Sequence, residues 1–267
     1  EYGISKFEAE KIVTKLSANN ENPVFIYRLP GVFGKWCKPN YNSVVSTFCY
    51  NAINNLDLKI KEPSKELTLV YIDDVLKSFF NCLKVNKKGL YSFEIKPKYT
   101  IKLKDLAEKI VLFNKNREKL IIDNVGQGFN RKLYATFISF LNEERFDYPL
   151  KEHIDERGKF VEILKNIDMG QIAFFTAHPG ITRGGHYHNT KTEKFVVIDG
   201  QAKFKFRNLA NGKKIEIDAD SNNPKVVDSI PGWVHNITNV GDKDLKVLLW
   251  SSEIFDKENP DTYQNEV

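Results

Sequence analysis

The sequence predicts two parts of different class, an α/β layer with a parallel sheet over residues 1–145 and an all-β sandwich or barrel over 146–267. Two observations predict this. Up to about residue 145, runs at helical spacing alternate with short apolar runs. After ERFDYPL the helical period disappears, and short strand-like runs follow one another between Gly, Asn, Asp and Pro turns.

Taken in order, Ile4, Phe7, Ile12, Val13 and Leu16 recur at helical spacing, so SKFEAEKIVTKLSAN reads as an amphipathic helix. PVFIYRLP is a compact strand, NSVVSTFCYNAINNL a helix and LTLVYI a strand. DDVLKSFFNCLK is a helix whose first turn is acidic, where the helix dipole favours negative charge. LKDLAEKIVLFN and NRKLYATFISFLN add two helices, and the change of pattern places the boundary near residues 142–150. Beyond it, KFVEIL, QIAFFTA, EKFVVID, QAKFKFRN, KIEID and LKVLLW read as strands.

Composition narrows the classes. Hydrophobic residues at 41% and charged residues at 28% describe a water-soluble globular protein. No run approaches the roughly 18 apolar residues of a membrane helix, and no signal peptide is visible, so a cytoplasmic protein without a membrane partner is expected. Cys37, Cys49 and Cys82 lack C-x-x-C spacing and read as reduced thiols. Lys and Arg outnumber Asp and Glu by 24 to 17 over residues 1–148, but number 16 against 18 beyond. Without clustered basic residues or a recognition motif, nucleic acid is not an expected partner.

Two constellations carry chemistry. Tyr2 and Lys6 stand at i and i+4 on the first helix, hence on one face. An ammonium beside a phenol favours the phenolate, which suits proton exchange with a carbonyl or hydroxyl. Tyr187 and Lys191 repeat the spacing, so the pattern alone is weak. The second constellation is far more specific. GITRGGHYHNTKTEKFVVIDG (180–200) fits Gly-x5-His-x-His-x4-Glu-x6-Gly, and PGWVHNITN adds Gly232, His235 and Asn239 as Gly-x2-His-x3-Asn. Residues i and i+2 of a strand share a face, so His186 and His188 point to one side, with Glu193 across a turn and His235 from a distant strand. Three imidazoles and a carboxylate suit zinc, iron, manganese or nickel. The bland reading, a hydrogen-bonded core cluster of histidines, needs five spaced residues and a second half to coincide.

These residues carry resemblances. The two-part histidine signature resembles the cupin superfamily, a small double-stranded β-helix (jelly-roll) barrel. The Tyr-x-x-x-Lys helix, followed by YRLPGVFG and ELTLVYIDDV, resembles the C-terminal part of extended short-chain dehydrogenase/reductases that act on nucleotide sugars. That resemblance implies an incomplete Rossmann-like domain with Tyr2 and Lys6 catalytic and Arg28, Pro30, Gly31 and Phe33 along the substrate loop. The Gly-rich coenzyme loop of such enzymes is absent from the sequence, so a fragment of a longer protein is expected, with its reductase activity lost. DERGKFVEI and GITRGGHYH resemble segments of deoxysugar-nucleotide 3,5-epimerases. They imply that Arg183, Tyr187 and Lys191 contact substrate, and that His186 is either a base or a metal ligand. The ligand reading is preferred, and it leaves His178, Tyr187 or Lys191 as base.

The order of the halves, ending in LLWSSEIFDKENPDTY, resembles the bifunctional UDP-4-keto-sugar reductase/3-epimerases of bacterial capsule and O-antigen synthesis, on the route to UDP-N-acetyl-L-fucosamine. The resemblance implies a divalent metal, zinc first, bound by His186, His188, Glu193 and His235. It also implies NAD(P)H in the full-length protein, a UDP-sugar substrate and a homodimer through the cupin. The alternatives are a noncatalytic sugar-binding or dimerising cupin, and third a cupin metal oxygenase.

Overall fold

The computed structural model describes residues 1–19 and 23–267. The chain divides into two compact units, Glu1–Lys115 with Asn124–Phe146 and Asn116–Asp123 with Asp147–Val267. The short excursion at 116–123 has no counterpart in the sequence pattern.

Through the first unit run α1 (Tyr2–Asn19), β1 (Pro23–Tyr27), β2 (Gly31–Phe33), α2 (Val44–Ile53), β3 (Glu66–Tyr71), α3 (Ile72–Cys82), β4 (Gly89–Phe93), β5 (Tyr99–Lys102), α4 (Leu103–Glu118) and α5 (Gly128–Ile138). The run PVFIYRLP ends as a strand at Tyr27, and Pro30, which lacks an N–H for a ladder, separates β1 from β2. Those two strands lie in different sheets. β1 pairs in parallel with β4, while β2 pairs in parallel with β3, and β5 adds to β3 antiparallel. The three-stranded sheet is therefore mixed where the sequence predicts a parallel one, because YTIK is too short to stand out as a strand. Ser43 caps α2 by accepting from the Ser46 amide at 3.3 Å. Phe33, Phe48, Leu106, Ile110, Leu133 and Phe137 are buried in one core. In contrast, α1 leaves Ile4, Phe7, Ile12 and Leu16 exposed.

The second unit is β-rich: β6 (Glu152–Asp155), β7 (Gly158–Asn166), β8 (Gly170–Ala177), β9 (Thr182–Tyr187), β10 (Glu193–Asp199), β11 (Gln201–Asn208), β12 (Lys214–Asp220), β13 (Val227–Ser229), β14 (Trp233–Asn239), β15 (Leu245–Ser251) and β16 (Tyr263–Gln264). Among the described residues they form a six-stranded sheet, β13-β10-β15-β8-β7-β6, and a five-stranded sheet, β12-β11-β14-β9-β16. All pairings are antiparallel. Alternation decides which faces meet. Ala202, Phe204 and Phe206 of β11 point inward, as do Phe195 and Val197 of β10 and Leu245, Val247 and Leu249 of β15, in one shared core. The two sheets thus close on each other as a cupin-like barrel. Phe204 is fully buried, with its ring 5.8 Å from that of Phe195. Phe204→Ala is expected to cost about 3–5 kcal/mol, read as a lower denaturant midpoint at unchanged slope.

At one end of the barrel the inward rows change character. Ser229, Glu193, Ser251 and Gln171 stand side by side across four neighbouring strands, all buried. A row of acceptors and donors here, where apolar side chains fill the rest, prepares a polar floor.

Candidate metal centre

Above this floor the five-stranded sheet brings its histidines. His235 of β14 stands opposite His186 of β9, whereas Asn236 stands opposite Gly184, so Gly185 is an extra residue in the ladder. That β-bulge reverses the parity of the strand. In a regular strand Arg183 and His186 would face opposite sides, whereas with one residue inserted both line the same cavity. Gly184 and Gly185 make the bulge, at φ +98° and +77°, a region that disfavours side chains. A Cβ on Gly184 would lie 2.8 Å from the main-chain oxygen of His235.

The imidazole of His186 lies 4.6 Å from that of His235 and 5.0 Å from that of His188, centroid to centroid. One donor atom each from His186, His188, Glu193 and His235 falls within 4.8 Å of the others. His188 and His235 are each 1% exposed and Glu193 7%. Burial, and then the neighbouring His235, lower the pKa of His186 to about 3, leaving a neutral ring with a free lone pair. For Glu193 burial works toward the neutral acid, but the hydrogen bonds of His188 and His235 outweigh it, and the carboxyl sits well below its usual range.

The donor set tests whether a cation fits. His188 Nδ1 lies 2.6 Å from the main-chain oxygen of Asp261, an acceptor, so Nδ1 carries the hydrogen. Nε2 of that ring faces Glu193 Oε2 at 3.1 Å, a hydrogen bond that needs a second proton on the same ring. His235 Nε2 lies 3.3 Å from the same oxygen, and its Nδ1 is bonded to Ser229 Oγ at 2.9 Å. A single divalent cation can take the place of those protons, bound by both Nε2 atoms and the carboxylate at once. Outer-shell partners on Nδ1 that turn Nε2 inward are the usual company of ligating histidines. The residues fit a divalent metal.

The cluster opens into a cavity of about 730 Å³, within the ~300–1,000 Å³ range of small-molecule sites. Arg183 lines it, its Nε donating to the Thr176 main-chain oxygen at 2.8 Å and its Nη2 lying 3.5 Å from Asp155. Asp155, paired mainly with Arg157, is held at a pKa of about 2. Lys191 lines it too, at 7% exposure, with Nζ 3.0 Å from Thr262 Oγ1 and 3.9 Å from Glu193 Oε1. Tyr187 does not. One residue from His186, it turns the other way and stacks on Tyr263 at 5.2 Å. His178 is also away from the cavity, paired with Asp244 at 2.8 Å.

In the first unit, Tyr2 is 77% exposed on α1, and Lys6 Nζ lies 5.4 Å from its ring centroid. Arg28 forms a two-pronged pair with Glu10, at 2.6 and 3.2 Å. Pro30 is half-buried, Gly31 opens β2 opposite Leu69, and Phe33 packs in the core between Tyr71 and Phe129. Phe33 is thus an anchor of the unit, set there by the inward turn of β2. Sequence reading misses Ser229, Asp261 and Thr262. Each meets the site from far along the chain, and no local spacing marks them.

Comparison with known proteins places this architecture. A family model for the polysaccharide biosynthesis C-terminal domain matches residues 153–263. The chain is 50% identical over 263 residues to a UDP-2-acetamido-2,6-beta-L-arabino-hexul-4-ose reductase of Pseudomonas aeruginosa, covering 98% of this chain and 71% of that protein. Its fold matches the capsular polysaccharide assembling protein CapF of Staphylococcus aureus with a TM-score of 0.92 at 36% identity, over 100% of this chain and 72% of CapF. CapF with the inhibitor 3-isopropenyl-tropolone matches at a TM-score of 0.90 and 35% identity, over 97% of this chain and 75% of that one. Similarity of this degree, spanning nearly the whole chain and more than two thirds of each relative, makes this protein a member of the family of that hexulose reductase and CapF.

Proposed function

We propose that the barrel epimerises C3 of a UDP-4-keto-6-deoxy-N-acetylhexosamine in capsule or related polysaccharide synthesis, and that the longer protein then reduces the C4 ketone with NAD(P)H. The observation that carries the reading is the convergence of donor atoms from His186, His188, Glu193 and His235, three of which line one cavity together with Arg183 and Lys191. The names of the hexulose reductase and of CapF support the substrate class. A tropolone offers two adjacent oxygens, a chelating pair for a divalent ion, which suits an inhibitor of such a site.

The chemistry follows from the ketone. A C4 carbonyl acidifies the C3 hydrogen, because the electron pair left on deprotonation spreads onto the ketone oxygen. When bound by the three histidines and Glu193, a divalent ion supplies Lewis acidity that stabilises such an oxyanion. Arg183, fixed by the Thr176 carbonyl, orients the sugar. With His186 assigned as a ligand, Lys191 is the candidate proton carrier that lines the cavity, and it exchanges the C3 proton. Protonation of C3 from solvent on the opposite face, with the electron pair returning from the ketone oxygen to carbon, inverts C3.

For the reduction, Tyr2 and Lys6 fit a proton-donor pair for the C4 oxygen, while this chain has no Gly-x-Gly-x-x-Gly run for a coenzyme pyrophosphate. Of that step these residues supply the proton donor alone. A homodimer through the barrel and zinc as the ion belong to the same proposal. Among the described residues no helix is long and apolar enough to cross a membrane.

The test is proton NMR of the UDP-4-keto sugar with this chain in heavy water, without coenzyme. Loss of the C3 proton signal is expected. An unchanged signal from folded, metal-loaded protein would sink the epimerase and favour a barrel that only binds sugar. Oxygen consumption in its place would favour an oxygenase.

A further inference from the structure

We propose that Asp261 is a positioning residue for the metal centre, and that the segment carrying it latches the turn between two of the ligands. The inference rests on the metal reading above and adds residues which that reading does not use. His188 and Glu193 stand at the two ends of a turn, residues 188–193, whose middle belongs to no strand. Main-chain amides in such a turn need acceptors from elsewhere. Here one carboxylate supplies them. Asp261 accepts from the amides of Asn189, Thr190 and Lys191 at 2.8, 2.7 and 2.8 Å, and from the Thr190 hydroxyl at 2.8 Å.

The same residue acts on the ligand itself. Its main-chain oxygen takes the Nδ1 hydrogen of His188 at 2.6 Å and so turns Nε2 toward Glu193. Its neighbour Thr262 holds Lys191 Nζ at 3.0 Å, and Ser252 Oγ accepts from the Thr192 amide at 3.0 Å. Immediately beyond, Tyr263 and Gln264 pair with Tyr187 and His186 of β9. A segment some seventy residues downstream thus fixes the register, the tautomer and the loop of the ligand set. Four donors to two oxygens suit an ionised carboxylate and overfill a carboxamide, whose single oxygen replaces two.

Coupling of this kind is reciprocal. Whatever factor in metal affinity depends on the docked segment, metal binding must return by stabilising the docked state. The metal centre and the latch then form one linked equilibrium.

The experiment uses the full chain, stripped of metal with a chelator, as wild type, Asp261→Asn and Asp261→Ala. Cobalt(II) or zinc is titrated against a competing chelator. Hydrogen exchange of the Asn189, Thr190 and Lys191 amides is followed with and without metal, beside thermal melting of the metal-free proteins. The expected result is metal affinity about 10–100-fold weaker in Asp261→Ala, as for other outer-shell partners, with Asp261→Asn between the two. In the wild type the three amides should exchange more slowly once metal is bound. A purely architectural residue would lower the melting temperature and leave the dissociation constant of folded protein alone; equal affinity in both variants overturns the latch. If Asp261→Ala does not fold, Asp261→Asn decides by the same criterion. Failure of the wild type to bind either ion would overturn the metal reading beneath, a result distinguishable from equal, tight binding by all three.

Discussion

Glu193→Gln is expected to lower exchange of the C3 proton about 1,000-fold and to destabilise the chelator-stripped protein. The two effects share one origin in the carboxylate. Glu193 Oε2 faces Nε2 of His188 and of His235 at 3.1 and 3.3 Å. A carboxamide removes the ionised acceptor that, against burial, those two imidazoles hold well below its usual range. For the metal, the same change removes the one negative charge of the donor set. Lewis acidity at a developing oxyanion is worth several kcal/mol, and each ~1.4 kcal/mol is tenfold in rate, so exchange should fall about 1,000-fold. The C3 signal in heavy water reads the first effect and a melting curve of stripped protein the second. Undiminished exchange would end the metal-assisted mechanism. His235→Ala is a harsher companion, since it also orphans Ser229 Oγ in a buried site.

Gly184→Ala is expected to cost on the order of 3 kcal/mol and to disperse the metal ligands together. Its φ of +98° is unfavourable to any side chain, and the new Cβ would lie 2.8 Å from the His235 oxygen and 3.0 Å from the Asn236 Cα. Both obstacles are main chain, so no rotamer change relieves them; β9 must separate from β14. That movement carries His186 away from His235. Gly180→Ala and Gly212→Ala are the internal controls, because their φ values are similar and nothing lies within 4 Å of the added carbon. They carry the conformational cost alone, about 1–2 kcal/mol. Urea denaturation of the metal-free proteins separates the two kinds of glycine, and a Gly184→Ala midpoint matching the controls would remove the close approach from the account.

What could be read from the chain alone follows the range of the forces involved. The clustering of His186, His188 and Glu193 is legible because they sit within eight residues and strand geometry dictates their faces. The inward rows of β10, β11 and β15 are legible for the same reason, through simple alternation. The bulge is half legible: two adjacent glycines before His186 announce unusual backbone, but nothing local says that they bring Arg183 and His186 to one side. Tyr187 illustrates the error this permits, since its nearness to the histidines suggested the cavity while parity sends it to Tyr263. Phe33 erred differently, for its place in a loop motif did not reveal its burial in the core. Ser229, Asp261 and Thr262 were invisible, because their partners are set by topology over long separations. On α1 the spacing of apolar residues correctly indicated a helix, but periodicity could not say whether that face is covered.

The two residues of β16 have a consequence beyond the site. β9 carries His186 near the margin of the five-stranded sheet, and an unpaired margin is a template onto which another molecule can add a strand. Tyr263 and Gln264 occupy the ladder positions beside Tyr187 and His186, and the Asn265 amide donates to the Gly185 oxygen at 3.0 Å. Detachment of this short strip would therefore bare a sticky flank at the point where the sheet is kinked by its bulge. The short strip thus covers backbone groups of β9 that would otherwise stand open to pairing.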